Sequence, residues 1–67
     1  MKFTHSPSTN VAYLYLKEDI KDGECVLQQE VQLQVGGGSI ILDFNTAGKL
    51  VGIEFLWTNV IPEELLK

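Results

Sequence analysis

Alternation of apolar and polar residues with a period of two runs through most of the chain, and that period marks strands rather than helices. Odd positions Cys25, Leu27, Val31, Leu33 and Val35 are apolar, interrupted by Gln29, while Gln28, Glu30, Gln32 and Gln34 are polar. This predicts a strand with one buried face. At ~3.4 Å per residue the run would extend about 40 Å, longer than a typical strand, so a bend, a bulge or an overhanging arm is expected. Val11-Ala12-Tyr13-Leu14-Tyr15-Leu16 is apolar on both faces and rich in β-formers, which predicts a central strand covered from both sides. Ser39 to Phe44 places Ile40, Leu42 and Phe44 opposite Ile41 and Asp43. Leu50 to Leu56 places Val51, Ile53 and Phe55 opposite Leu50, Gly52, Glu54 and Leu56. Both read as strands with one strongly apolar face, and Lys2 to His5 reads as a short opening strand.

Turn chemistry separates these segments. Lys17-Glu18-Asp19-Ile20-Lys21-Asp22-Gly23 is a charged loop ending in Asp-Gly. Gly36-Gly37-Gly38 parts two strand patterns, and Asn45-Thr46-Ala47-Gly48 suits a type I turn closing on a left-handed glycine. Such short links predict sequential hairpins. Pro62-Glu63-Glu64-Leu65-Leu66 has Pro where a helix begins and acids in the first turn, so a short terminal helix is expected. Thr58-Asn59 offers two N-cap residues for an earlier helical turn, which Pro62 would interrupt. The expected fold is α+β and mostly β: a four- or five-stranded antiparallel meander with a short C-terminal helix, as one domain over residues 1–67. Tyr13, Tyr15, Val31, Leu33, Leu42, Phe44, Ile53 and Phe55 are assigned to its buried face.

Size then changes the picture. A chain of 67 residues with 45% apolar content should fold, but one this small buries only about 60% of its unfolded surface, so its own core is marginal. The single Cys25 supplies no internal disulfide, and no Cys/His set reads as a metal site, so no cofactor is called for. Leu14, Leu16, Ile41, Leu56 and Trp57 exceed what a short helix can cover. They become interface candidates, and a homodimer with two-fold symmetry is expected.

Charge and hydropathy narrow the partners. Five Lys, no Arg and nine acidic residues give a net charge of −4, unsuited to neutralising a phosphate backbone, so nucleic acid is not an expected partner. No apolar run approaches the roughly 20 residues of a membrane span, and the first residues lack a signal-peptide apolar region. With the lone Cys25, this predicts a cytoplasmic protein.

Candidate chemistry is sparse. Asp43 and Glu54 sit on strands joined by the Asn45 to Gly48 turn and could share a proton or bind a hard cation; alternatively both face water or Lys49. His5 is the one side chain titrating near neutrality, and reads otherwise as a solvated loop residue. Cys25 lies beside Asp22 and Glu24, which would raise rather than lower its pKa, so a core or partly buried thiol is expected rather than a nucleophile. Gly36-Gly37-Gly38-Ser39 precedes a strand pattern, unlike a phosphate loop. Tyr13, Tyr15 and Trp57 lack the basic neighbours of a base-stacking platform.

Asp43-Phe44-Asn45-Thr46-Ala47-Gly48-Lys49-Leu50-Val51-Gly52-Ile53-Glu54-Phe55-Leu56 resembles the YuzE-like family of small bacterial proteins of unknown function. Ala12 to Leu16 and Ile61 to Leu65 are similar to that family's first strong strand and tail. The sequence departs from it in His5 to Asn10 and in the glutamine-rich middle strand, where the family carries acids. The resemblance implies a compact antiparallel sheet with a terminal helix and no known catalytic residue, with an antitoxin-like protein partner by analogy. The expected function is a non-catalytic protein-interaction module, the alternative being a small-ligand or metal-binding protein or enzyme using Asp43, Glu54 and His5.

Overall fold

The computed structural model describes residues 1–34, 37–57 and 59–66. Strands β1 (Lys2–Ser6), β2 (Val11–Tyr15), β3 (Leu27–Gln32), β4 (Ser39–Phe44) and β5 (Leu50–Phe55) form one antiparallel sheet in the order β1-β2-β5-β4-β3. Val35, Gly36 and Thr58, on which the long middle strand, the triple-glycine turn and the early helical turn partly depend, lie outside the described residues, as does Lys67.

The meander breaks at one place. β1–β2, β3–β4 and β4–β5 are hairpins, but β2 pairs with β5, and β3 stands at the far edge beside β4 alone. The expected β2–β3 hairpin does not form. Pairing β2 with β5 sets apolar-rich β2, β5 and β4 side by side in the middle of the sheet, and leaves glutamine-rich β3 where its polar side chains meet water. The connection across the end of the sheet is clamped by a Lys17–Glu24 ion pair and by reciprocal Lys21–Glu24 hydrogen bonds. Gly23 turns it with φ +79°. The hydrogen bonds from Lys17 and from the Lys21 amide hold the Glu24 carboxyl below its usual range.

The β4–β5 turn follows its sequence. Gly48 N–H donates to Asn45 C=O, Gly48 has φ +76°, and Asn45 Oδ1 accepts from the amides of Ala47 and Lys49. The middle strand is shorter than its alternation. It spans Leu27–Gln32, and Val26 N–H donates to Phe44 C=O although Leu27 is the register partner of Phe44, a local doubling of the expected kind.

Residues facing each other across a ladder share a face of the sheet. Ala12 faces Phe55, which faces Ile40; Leu14 faces Ile53, which faces Leu42; Val31 faces Ile40. These build the apolar face, with Phe3 opposite Leu14 and its ring 6.3 Å from Phe55. Tyr13 faces Glu54 and Tyr15 faces Gly52, so both tyrosines lie on the other face, with Ile41 and Asp43. The expectation that placed Tyr13 and Tyr15 with Ile53 and Phe55 is thus corrected, because pairing with β5 fixes the parity of β2.

Val60, Ile61, Pro62 and Leu65 fold over the apolar face and, with Phe3, Leu14 and Phe55, line a cavity of about 230 Å³. The expected terminal helix is a single 3-10 turn, Glu63–Leu66, with Leu65 N–H bonded to Pro62 C=O. Four residues repay an i→i+3 bond but not the cost of an α-helical nucleus. Among the described residues the buried apolar side chains are Ala12, Val51 and Ile61, and no large side chain is wholly withdrawn from water. No helix is long and apolar enough to cross a membrane.

Candidate functional site

The densest polar contacts lie on the tyrosine-bearing face. Asp43 on β4 is 4% exposed, and both carboxylate oxygens are engaged: Tyr13 Oη donates to Oδ2 at 2.5 Å and Gln28 Nε2 to Oδ1 at 2.9 Å. Tyr13 comes from β2 and Gln28 from β3, so one carboxylate ties three strands together. Between β2 and β4 runs β5, and the phenol crosses it over Gly52. A Cβ there would lie 2.1 Å from Tyr13 Oη. Gly52 is therefore the gap that lets Tyr13 reach Asp43. A glycine inside a strand pattern signals a bulge or the close approach of another element, and here that element is the Tyr13 ring.

Tyr15 packs beside Tyr13, ring centroids 4.7 Å apart, and Lys2 Nζ sits 4.9 Å from the Tyr15 ring. Burial, followed by the hydrogen bond to Asp43 and its negative charge, pushes the Tyr13 hydroxyl well above the usual tyrosine range. The Cys25 thiol is pushed up by burial, then by Asp43 and Glu24. A rise was expected from Asp22 and Glu24; Glu24 contributes, Asp22 is not among the causes, and Asp43 adds a contribution that was not expected. Chemically the cluster holds a neutral phenol, a protonated thiol and a carboxylate with both oxygens occupied. That suits a cross-brace better than proton transfer.

The acid–base candidates do not converge. Asp43 is turned neither to water nor to Lys49. Glu54 shares its face, but Asp43 stands opposite Gly52 and Glu54 opposite Ile41, a diagonal step apart. His5 belongs to β1 rather than to a solvated loop. It faces Ala12 on the apolar side, with Nε2 buried and without a hydrogen-bond partner. It therefore lies across the sheet from Asp43 and Glu54. Among the described residues no group of three or more His, Cys, Asp or Glu could hold a metal.

The interface candidates divide as well. Leu14 lines the cavity under the C-terminal segment. Leu16 continues β2 through a bond from its N–H to Val51 C=O, and is exposed on the apolar side. Trp57 packs against Gly38, where a Cβ would lie 2.7 Å from the Trp57 side chain, and is 51% exposed. Ile41 and Leu56 belong to the opposite face, by pairing with Glu54 and Ser39.

Residues 2–58 match a family model described as a protein of unknown function, DUF2283. The chain belongs to the DUF2283 family. The DUF2283 region takes in all five strands, the Tyr13–Asp43–Gln28 brace and Gly52. The segment that covers the apolar face, Val60 to Leu65, follows it. No curated protein and no solved structure matches the chain.

Proposed function

We propose that this DUF2283 protein is a non-catalytic protein-interaction module that works as a homodimer. The observation that carries the proposal is the half-covered apolar face: Leu16 and Leu27 are exposed large apolar residues on that side, as are Val60 and Leu65 in the segment folded over it. Each such side chain gains about 1.5–3 kcal/mol when taken fully from water. A standard interface removes about 800 Å² per partner, about a sixth of the 4802 Å² that the molecule exposes. The polar face adds support, since Asp43 has no free oxygen and His5 lies on the other side.

The free Cys25 suits a reducing compartment, and the cytoplasm is the proposed location. The YuzE-like resemblance over Asp43 to Leu56 belongs to this proposal, and an antitoxin-like partner enters only by analogy. Sedimentation equilibrium at micromolar concentration is expected to give twice the monomer mass. A monomer throughout would count against the proposal.

A further inference from the structure

The outer edge of β3 is the largest feature left unused so far. Leu33 N–H donates to Gly38 C=O in continuation of the β3–β4 register. In an antiparallel ladder the bonded residues alternate, so odd positions of β3 bond to β4, and Gln28, Glu30 and Gln32 turn their N–H and C=O groups outward. The strand carries little of the usual edge protection: beyond the doubling at its start, its sequence LQQEVQ has no Pro and no Lys, and one charge. The opposite edge, β1, carries Lys2 and ends one residue before Pro7.

We propose that β3 pairs antiparallel with β3 of a second copy about a two-fold axis at Gln29, joining the two sheets into one. This rests on the homodimer reading and names an edge and a register for it; the pairing joins the two apolar faces edge to edge rather than covering either.

Side-chain matching selects that register. An axis at Gln29 sets Leu27 opposite Val31 of the other copy on the apolar face, and Gln28 opposite Glu30 on the polar face. Leu27, 62% exposed in the single chain, thereby gains an apolar cross-strand neighbour. An axis at Glu30 would instead oppose two carboxylates, which is destabilising. Gln29 is the polar interruption in an otherwise apolar alternation, and at the axis it meets its own copy in a close, non-hydrogen-bonded pair. Each amide can donate to the other's carbonyl oxygen. A polar residue at this position thus fixes alignment, as a single buried amide does in paired helices. The same strand supplies both halves of the match, which is why the occupant is a second copy.

The test uses the full chain in a Cys25→Ser background. Gln29→Cys, under mild thiol oxidation, is expected to cross-link into a covalent dimer, and Thr4→Cys on β1 to stay monomeric on denaturing gels. Glu30→Pro removes an outward N–H while leaving the bonds to β4, and is expected to shift the sedimenting mass from dimer to monomer with strand-type circular dichroism retained. A dimer that survives Glu30→Pro and cross-links no faster at position 29 than at position 4 overturns the β3 interface, yet leaves self-association standing. A monomer at every concentration overturns both. Should Glu30→Pro fail to fold, the two cross-linking rates decide alone.

Discussion

Gly52 decides whether Tyr13 can reach Asp43. A methyl at that position would meet the phenol at 2.1 Å, so Gly52→Ala must displace the ring and strip a hydrogen bond from a buried carboxylate. The expected loss is about 3 kcal/mol, read from the urea midpoint. Tyr13→Phe keeps the ring and loses only the hydroxyl, with an expected cost of about 2 kcal/mol. The two variants also differ from wild type in alkali. The Tyr13 pKa is raised on folding, so its stabilisation is complete below the unfolded value of about 10 and is lost as pH climbs toward the folded value. Stability measured against pH should fall on the alkaline side in wild type, and fall less steeply in Tyr13→Phe. None of this brace was legible locally, because Tyr13 and Asp43 are 30 residues apart and meet only through a long-range register. The glycine inside an apolar strand was the one available signal, and it pointed to close packing without naming the ring.

Alternation located β3, β4 and β5, a run of β-formers located β2, and turn residues located the β4–β5 connection, because all of these depend on neighbours in sequence. Strand order depends on which distant apolar surfaces match best, and no local pattern distinguishes a β2–β3 hairpin from the β2–β5 pairing observed. The tyrosines were misassigned for a related reason: an amphipathic ring satisfies either face, so the parity of β2 is set by its partner. The C-terminal element was legible as a start, from Pro62 and its acids, but not as a helix type. Its anchor is Ile61, which is 8% exposed and lines the cavity. Ile61→Ala should cost about 2–4 kcal/mol by enlarging that cavity, whereas Glu63→Ala on the exposed turn should stay within about 0.5 kcal/mol. Thermal melts of the two variants side by side would check the contrast.

The whole molecule, 32 × 24 × 17 Å, is a single sheet under a partial lid. A body so thin cannot enclose large side chains, which is why the buried apolar set is limited to Ala12, Val51 and Ile61 among the described residues. Length and apolar content prompted the homodimer proposal; the face and edge proposed for it came only with the strand order. A self-associating module makes its melting temperature depend on protein concentration. Differential scanning calorimetry across a concentration series is expected to show an upward drift, and a flat series would speak for an independent monomer.

The position of β5 in the middle of the order carries a consequence for biosynthesis. As the polypeptide leaves the ribosome, its first half offers one hairpin, and an isolated two-stranded hairpin is marginal in water. β4 and β3 can join next, but Tyr15 has no strand on its inner flank until Gly52 emerges. The nascent chain therefore holds two disconnected ribbons until β5 emerges, and that strand locks them into one cooperative unit. Truncation before Leu50 should accordingly yield a protease-sensitive, unfolded product rather than a smaller stable sheet.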